Sequence, residues 1–145
     1  MDMFPDRQTL GLSILRLGLA AVYLWFGFSQ LFDSVNWVGW VPTWAVELLN
    51  IPPAMIVILN GSLEVVLGSL LAVGLFIRPV AFILTVHLAL ITYEIGVSAI
   101  GVRDFGLTMA TLALAFLSNK SQLSLPSFKN LSKESGSSID DPRPV

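Results

Sequence analysis

The chain has 145 residues, of which 54% are hydrophobic and only 12% charged, and its mean hydropathy is +0.77. Soluble domains carry about 25% charged residues, so this composition predicts a single membrane-embedded domain. The net charge of −2 and the lack of a basic stripe argue against nucleic acid as a partner. Without cysteine and with one histidine, the chain provides no thiolate cluster and no bis-histidine haem site of its own, and we expect no metal site.

The first apolar stretch, residues 10–32, predicts a transmembrane helix, because ~1.5 Å per residue carries it across a hydrocarbon core of ~30 Å. It is too long for a signal peptide, so we expect an uncleaved span. Its polar and small residues recur at helical spacing and form one face, which we expect to look into a helix bundle. These residues are Arg16, Ala20, Tyr23, Gly27 and Gln30.

A tryptophan-rich segment follows at residues 33–53 and contains no lysine or arginine. Trp37, Trp40 and Trp44 lie at i, i+3 and i+7, and tryptophan prefers the headgroup region of a bilayer. The segment is therefore interpreted as interfacial or re-entrant. A lid over a lipophilic ligand is the alternative.

The second predicted span, residues 54–77, carries Glu64 near its middle. Gly61, Glu64 and Gly68 share one helical face, so a neighbouring helix is expected to pack closely there, with the acid inside the contact. An ionisable group at this depth is paired, faces a cavity or is functional. A tight turn is predicted at Arg78 and Pro79.

The third and fourth predicted spans are residues 80–97 and 103–118, joined by a short link. His87 and Glu94 are seven residues apart and share a face of the third span. Asp104 begins a polar face of the fourth span, and Gly106 begins a second, close-packing face. The first 118 residues thus form the transmembrane domain, and the serine-rich residues 119–145 are expected to form a disordered tail.

Basic residues outside the spans predict the orientation of the chain. One side of the membrane receives all of them except Arg103, which favours a multi-pass protein of the plasma membrane with both termini in the cytoplasm. The residues on that predicted cytoplasmic side are Arg7, Arg78, Lys120, Lys129, Lys133 and Arg143.

Polar side chains from all four spans are expected to converge on the bundle axis. The candidate proton relay consists of Glu64, His87 and Glu94. Pairing of Arg103 with Glu64 or Glu94, and of Arg16 with Glu64, is one expectation; a purely structural ion-pair network that fixes helix register is the alternative. Candidate ligand-binding residues are Arg16, Tyr23, Glu64, His87, Tyr93, Arg103 and Asp104, with Gln30 also on the axis.

Several short motifs, in order and at membrane-compatible spacing, resemble the DoxX family (DoxX/DoxD-like small four-helix membrane proteins) over about residues 10–117. The motifs are Arg16, the GFSQLF stretch at 27–32, EVVLG at 64–68, LLAVGLFIR at 70–78 and RDFGL at 103–107. The chain departs from the family at Gln30, where the family's glycine-x-x-lysine pattern has a cation.

The resemblance implies a subunit of a quinone-linked membrane redox system, since the relative DoxD is a membrane subunit of thiosulfate:quinone oxidoreductase and other relatives are linked to oxidative stress. The implied ligand is a quinone, and no intrinsic cofactor is implied. The implied partner is a second subunit or a soluble redox enzyme that donates electrons. A non-enzymatic membrane scaffold and a small proton-coupled transporter, with a homo-oligomer supplying symmetry, are the alternatives.

Overall fold

A computed structural model describes residues 7–118 of the chain. Over those residues the protein is helical and has no β-strand. Four of the helices are long and apolar enough to cross a membrane, which confirms the predicted all-α four-helix bundle with a tryptophan-rich segment between its first two spans. The long helices are α1 (Arg7–Phe32), α4 (Pro53–Val73), α5 (Ile77–Ile95) and α6 (Ala99–Leu117); the segment between α1 and α4 holds α2 (Ser34–Trp37), a 3-10 helix (Val38–Trp40) and α3 (Thr43–Leu49).

The long helices pack as two pairs, α1 with α4 and α5 with α6. Glycines bring the first pair into backbone contact: a Cβ placed on Gly61 would lie 2.8 Å from the carbonyl oxygen of Gly27. Further along, Gly68 packs against the side chains of Tyr23 and Leu24. This close approach is the one that the small-residue face around Glu64 predicts.

An apolar core fills the half of the bundle nearest the α4–α5 turn. Leu71, Leu84 and Leu114 are each at most 1% exposed there. Arg16 also lies at this level and donates from Nη1 to the carbonyl oxygen of Leu71 at 3.4 Å. A cation near the last carbonyls of α4 interacts favourably with the negative end of the helix dipole.

The turn between α4 and α5 lies earlier than predicted. Gly74, at φ +85°, ends α4, and its amide donates to the carbonyl oxygens of Leu70 and Leu71. Glycine adopts this left-handed conformation without steric cost, which makes it the natural helix terminator. Arg78 and Pro79 therefore belong to the first turn of α5, where the missing amide hydrogen of proline costs nothing.

The link between α5 and α6 is shorter than predicted. Ser98 caps α6 by accepting from the amide of Gly101 at 3.0 Å, so the helix begins at Ala99. The close-packing face predicted around Gly106 is wrong, because a Cβ there would meet nothing within 4 Å. The opposite face, with Asp104 and Thr108, is buried as predicted. The predicted tail at 119–145 lies outside the described residues.

Candidate functional site

A cavity of about 450 Å³ occupies the half of the bundle nearest α2 and α3. All four long helices and the tryptophan-rich segment contribute to its wall. This volume falls within the ~300–1,000 Å³ typical of sites for small organic ligands. Most of the wall is apolar, and its aliphatic and aromatic members include Val22, Phe26, Val57, Leu88, Ile91 and Leu107.

Glu64 is the most buried acid of this wall, at 4% exposure. Its Oε2 accepts from Nε2 of Gln30 at 3.0 Å, and its Oε1 accepts from Nδ2 of Asn60 at 3.2 Å. Nε2 of His87 lies 3.4 Å from the same Oε1. Since a buried carboxylate needs hydrogen-bond partners, these three side chains stabilise Glu64 within a mostly apolar cavity.

The contact between α1 and α4 places this cluster. Gln30 lies three residues after Gly27 on α1, and Glu64 lies three residues after Gly61 on α4, so each is about one helical turn from the glycine contact. Backbones this close allow short side chains to bridge the two helices. Asn60 precedes Glu64 by four residues on the same face, and its Nδ2 also donates to Oε1 of Gln30 at 2.7 Å.

The expectation that arginine side chains pair with Glu64 and Glu94 is wrong. Arg16 donates to a backbone carbonyl of α4 at the other end of the bundle. Arg103 donates from Nε to Oδ1 of its neighbour Asp104 at 2.8 Å, and its guanidinium lies 5.1 Å from the ring centre of Phe26. Glu64 is thus held by two neutral amides and the histidine.

The tryptophan-rich segment covers one end of the cavity. Nε1 of Trp37 donates to Oγ of Ser29 at 3.1 Å, which ties the segment to α1. Nε1 of Trp44 donates to Oε1 of Glu94 at 3.1 Å, which ties it to α5. Trp40 lies between them and also lines the cavity. This position is the one that the lid interpretation of the segment requires.

Most of the predicted site residues meet at this cavity. The predicted residues that line the cavity are Tyr23, Gln30, Glu64, His87, Glu94, Arg103 and Asp104. Two do not: Arg16 lies at the core end of the bundle, and Tyr93 is 83% exposed on the outer surface. Helix geometry explains why Tyr93 is exposed. Tyr93 directly precedes Glu94, and neighbouring positions on a helix point about 100° apart.

Sequence reasoning missed Asn60 as a member of the site. The available signal is its i, i+4 spacing to Glu64 within one predicted span, because residues four apart share a helix face.

Tyr23 is predicted to bind ligand, but its hydroxyl is engaged with Oγ1 of Thr111 at 2.9 Å. It therefore contributes its ring to the floor of the cavity, where α1 meets α6.

The sequence model of the DoxX family matches residues 11–97 of this chain, which is more than half of its length. The match contains Gln30, Asn60, Glu64 and His87, and it ends before α6 with its Arg103. No curated protein and no solved structure matches the chain. The cluster around Glu64 thus lies entirely within the family match.

Proposed function

Because this chain belongs to the DoxX family, we propose that it is the quinone-binding subunit of a membrane redox system. The single observation that carries the proposal is the Glu64–His87 contact on the wall of an apolar, tryptophan-capped cavity. Quinones are lipophilic rings that exchange protons with each electron pair, so a site for them combines an apolar slot with proton-carrying side chains. A carboxylate and an imidazole are such side chains.

The aromatic wall suits the ring of this ligand. Phe26 and Trp37 pack edge to face, with ring centres 5.7 Å apart. Together with Trp40 and Trp44 they line the end of the cavity nearest α2 and α3. Aromatic side chains favour offset or edge contacts with another ring and exclude water from it. The hydrogen bond between Trp44 and Glu94 holds this cover against α5.

In the proposed reaction, two electrons and two protons convert the quinone into its hydroquinone. His87 and Glu64, whose Nε2 and Oε1 atoms lie 3.4 Å apart, form the proposed path by which these protons reach the ring oxygens. Gln30 and Asn60 keep the carboxylate oriented through its other lone pairs. The chain contributes binding, orientation and proton delivery.

The electrons come from a reductant bound by a partner subunit or a soluble enzyme. This chain contains no cysteine and a single histidine, and that histidine is engaged with Glu64. The covered end of the cavity, with Trp40 and Trp44 more than half exposed, is the face at which this partner is proposed to dock.

The transporter alternative gains no comparable support. Transport needs access to the acid from both sides of the membrane in turn. In the described residues the half of the bundle beyond Tyr23 is filled by core side chains such as Leu71, Leu84 and Leu114. The cavity therefore reaches Glu64 from one end of the bundle.

The test is extraction of quinone from protein purified gently in detergent. We expect near-stoichiometric quinone in the redox difference spectrum of the organic extract, and its loss in Glu64→Gln and His87→Ala. Glu47→Gln is the matched control, because Glu47 is exposed on α3 and does not line the cavity. A folded wild-type protein that contains no quinone and binds none when it is added would contradict the proposal.

A further inference from the structure

The amide groups around Glu64 have a fixed hydrogen-bond direction. A carboxylate only accepts, so Gln30 and Asn60 must turn their NH2 groups towards it. Nδ2 of Asn60 donates to both Glu64 and Gln30, which uses its two hydrogens. Oδ1 of Asn60 accepts nothing from the described residues and is therefore a free acceptor on a residue that lines the cavity.

Asp104 presents a second free acceptor. Its Oδ1 accepts from Arg103, and its Oδ2 has no partner among residues 7–118 although the residue is only 5% exposed. No fully buried side-chain oxygen in this part of the chain lacks a partner, so Oδ2 retains accessible surface. Asp104 is also one of the residues that line the cavity.

His87 provides a third free atom. In the tautomer whose Nε2–H donates to Glu64, Nδ1 carries only a lone pair and accepts. The unused donors are one amide hydrogen of Gln30 and the Nη groups of Arg103, whose side chain is half exposed. Helices α4, α5 and α6 thus each carry such an acceptor on a residue that lines the cavity.

A carbonyl and a hydroxyl meet this wall differently. The carbonyl of a quinone only accepts, so it leaves these acceptors unpaired once water is displaced, and an unpaired buried polar group is costly. A hydroxyl both donates and accepts, so it pairs with the free acceptors and also with Arg103. We propose that the cavity binds the hydroquinone form of its ligand more tightly than the quinone form.

This inference rests on the proposed function and specifies which redox form the site selects. Differential binding of two redox forms shifts the midpoint potential of the bound couple. Each tenfold preference for the reduced form raises it by about 30 mV for a two-electron couple. A bound quinone then takes electrons from the partner more readily than a quinone free in the bilayer.

The experiment compares the dissociation constants of a short-tail benzoquinone and its hydroquinone. Both are measured anaerobically by equilibrium dialysis against the full-length protein in detergent. We expect the hydroquinone to bind about tenfold more tightly, which corresponds to roughly one hydrogen bond to a charged or buried acceptor. Equal affinities, or tighter quinone binding, would overturn the inference and leave the proposed function standing.

Asp104→Asn reverses the hydrogen-bond polarity of one atom without changing its size. Arg103 holds Oδ1 in place, so the new amide nitrogen takes the position of Oδ2 and donates into the cavity. We expect the preference for hydroquinone to fall severalfold and the affinity for the quinone to rise. Asp33→Asn is the matched control, since Asp33 is exposed at the end of α1, does not line the cavity and should leave the ratio unchanged.

A second ligand pair keeps the test independent of whether Asp104→Asn folds. A substituted phenol and its methyl ether differ by one hydroxyl donor, and the wild-type protein should bind the phenol several times more tightly. An ether that binds as well as the phenol would overturn the inference. Failure of every ring ligand to bind would overturn the proposed function, and this inference with it.

Discussion

Gly27 and Gly61 face each other across α1 and α4, and a Cβ on either one would lie 2.8 Å from the carbonyl oxygen of the other. This contact sets the separation of the two helices one turn away from Gln30 and Glu64. The hydrogen bonds of the buried acid therefore depend on two residues that have no side chain. We therefore expect a change at this contact to affect both stability and ligand binding.

Gly61→Ala should separate α1 from α4. The methyl group would meet the backbone of Gly27 and the Cβ of Gln30, and overpacking of this kind costs about 1–3 kcal/mol. We expect a lower melting temperature in detergent and weaker binding of the ring ligand. Gly106→Ala is the control, because open space surrounds Gly106, and it should be as stable as wild type or more so.

Glu64→Gln should weaken the cluster without unfolding the bundle. The new amide group presents hydrogens to Gln30, Asn60 or His87, and at least one donor then loses its acceptor. We expect a loss of about 1–3 kcal/mol in the free energy of unfolding, normal insertion into membranes and no quinone turnover. Turnover that survives in the folded variant would show that Glu64 carries no proton.

Trp44→Phe tests the cover of the cavity. It keeps an aromatic ring and removes the N–H that donates to Glu94. We expect faster dissociation of the ring ligand, measured by stopped-flow displacement, with little change in thermal stability because both residues are exposed. Trp25→Phe is the control, since Trp25 is 64% exposed outside the cavity; equal acceleration in both variants would contradict a role for the Trp44–Glu94 bond.

Gly74→Ala should destabilise the α4–α5 turn. At φ +85° a residue with a Cβ is less stable than glycine by about 1–2 kcal/mol. The added methyl would also displace Arg16 from its contact at the end of α4. We expect a lower melting temperature with unchanged relative affinity for the two ligand forms, since the turn lies at the far end from the cavity. Gly18→Ala, at a helical position in open space, should show no loss.

The predicted orientation is testable because the chain contains no cysteine. Glu47→Cys and Arg78→Cys each introduce one exposed thiol, at opposite ends of the bundle. With both termini in the cytoplasm, a membrane-impermeant maleimide should label Glu47→Cys in intact cells and should label Arg78→Cys only after lysis. The reverse pattern would invert the predicted topology.

Local properties of the chain are what its sequence predicts well. The four apolar helices follow from hydropathy and length, and the buried faces of α1 and α6 follow from helical periodicity. The closely packed face around Glu64 follows from the spacing of Gly61 and Gly68. Errors at the helix ends are small, because Gly74 and Ser98 terminate or cap helices through backbone geometry that apolar content does not report.

The partners of the polar groups are what only the tertiary structure decides. Charge alone favours an arginine beside Glu64. The structure instead places Gln30, which lies 34 positions away in the chain, in hydrogen-bond contact with the acid. That outcome depends on the rotation and separation of α1 and α4, which the contact of Gly27 with Gly61 sets. Hydropathy is a property of each segment by itself, whereas a hydrogen bond within ~3 Å requires two helices to be placed relative to each other.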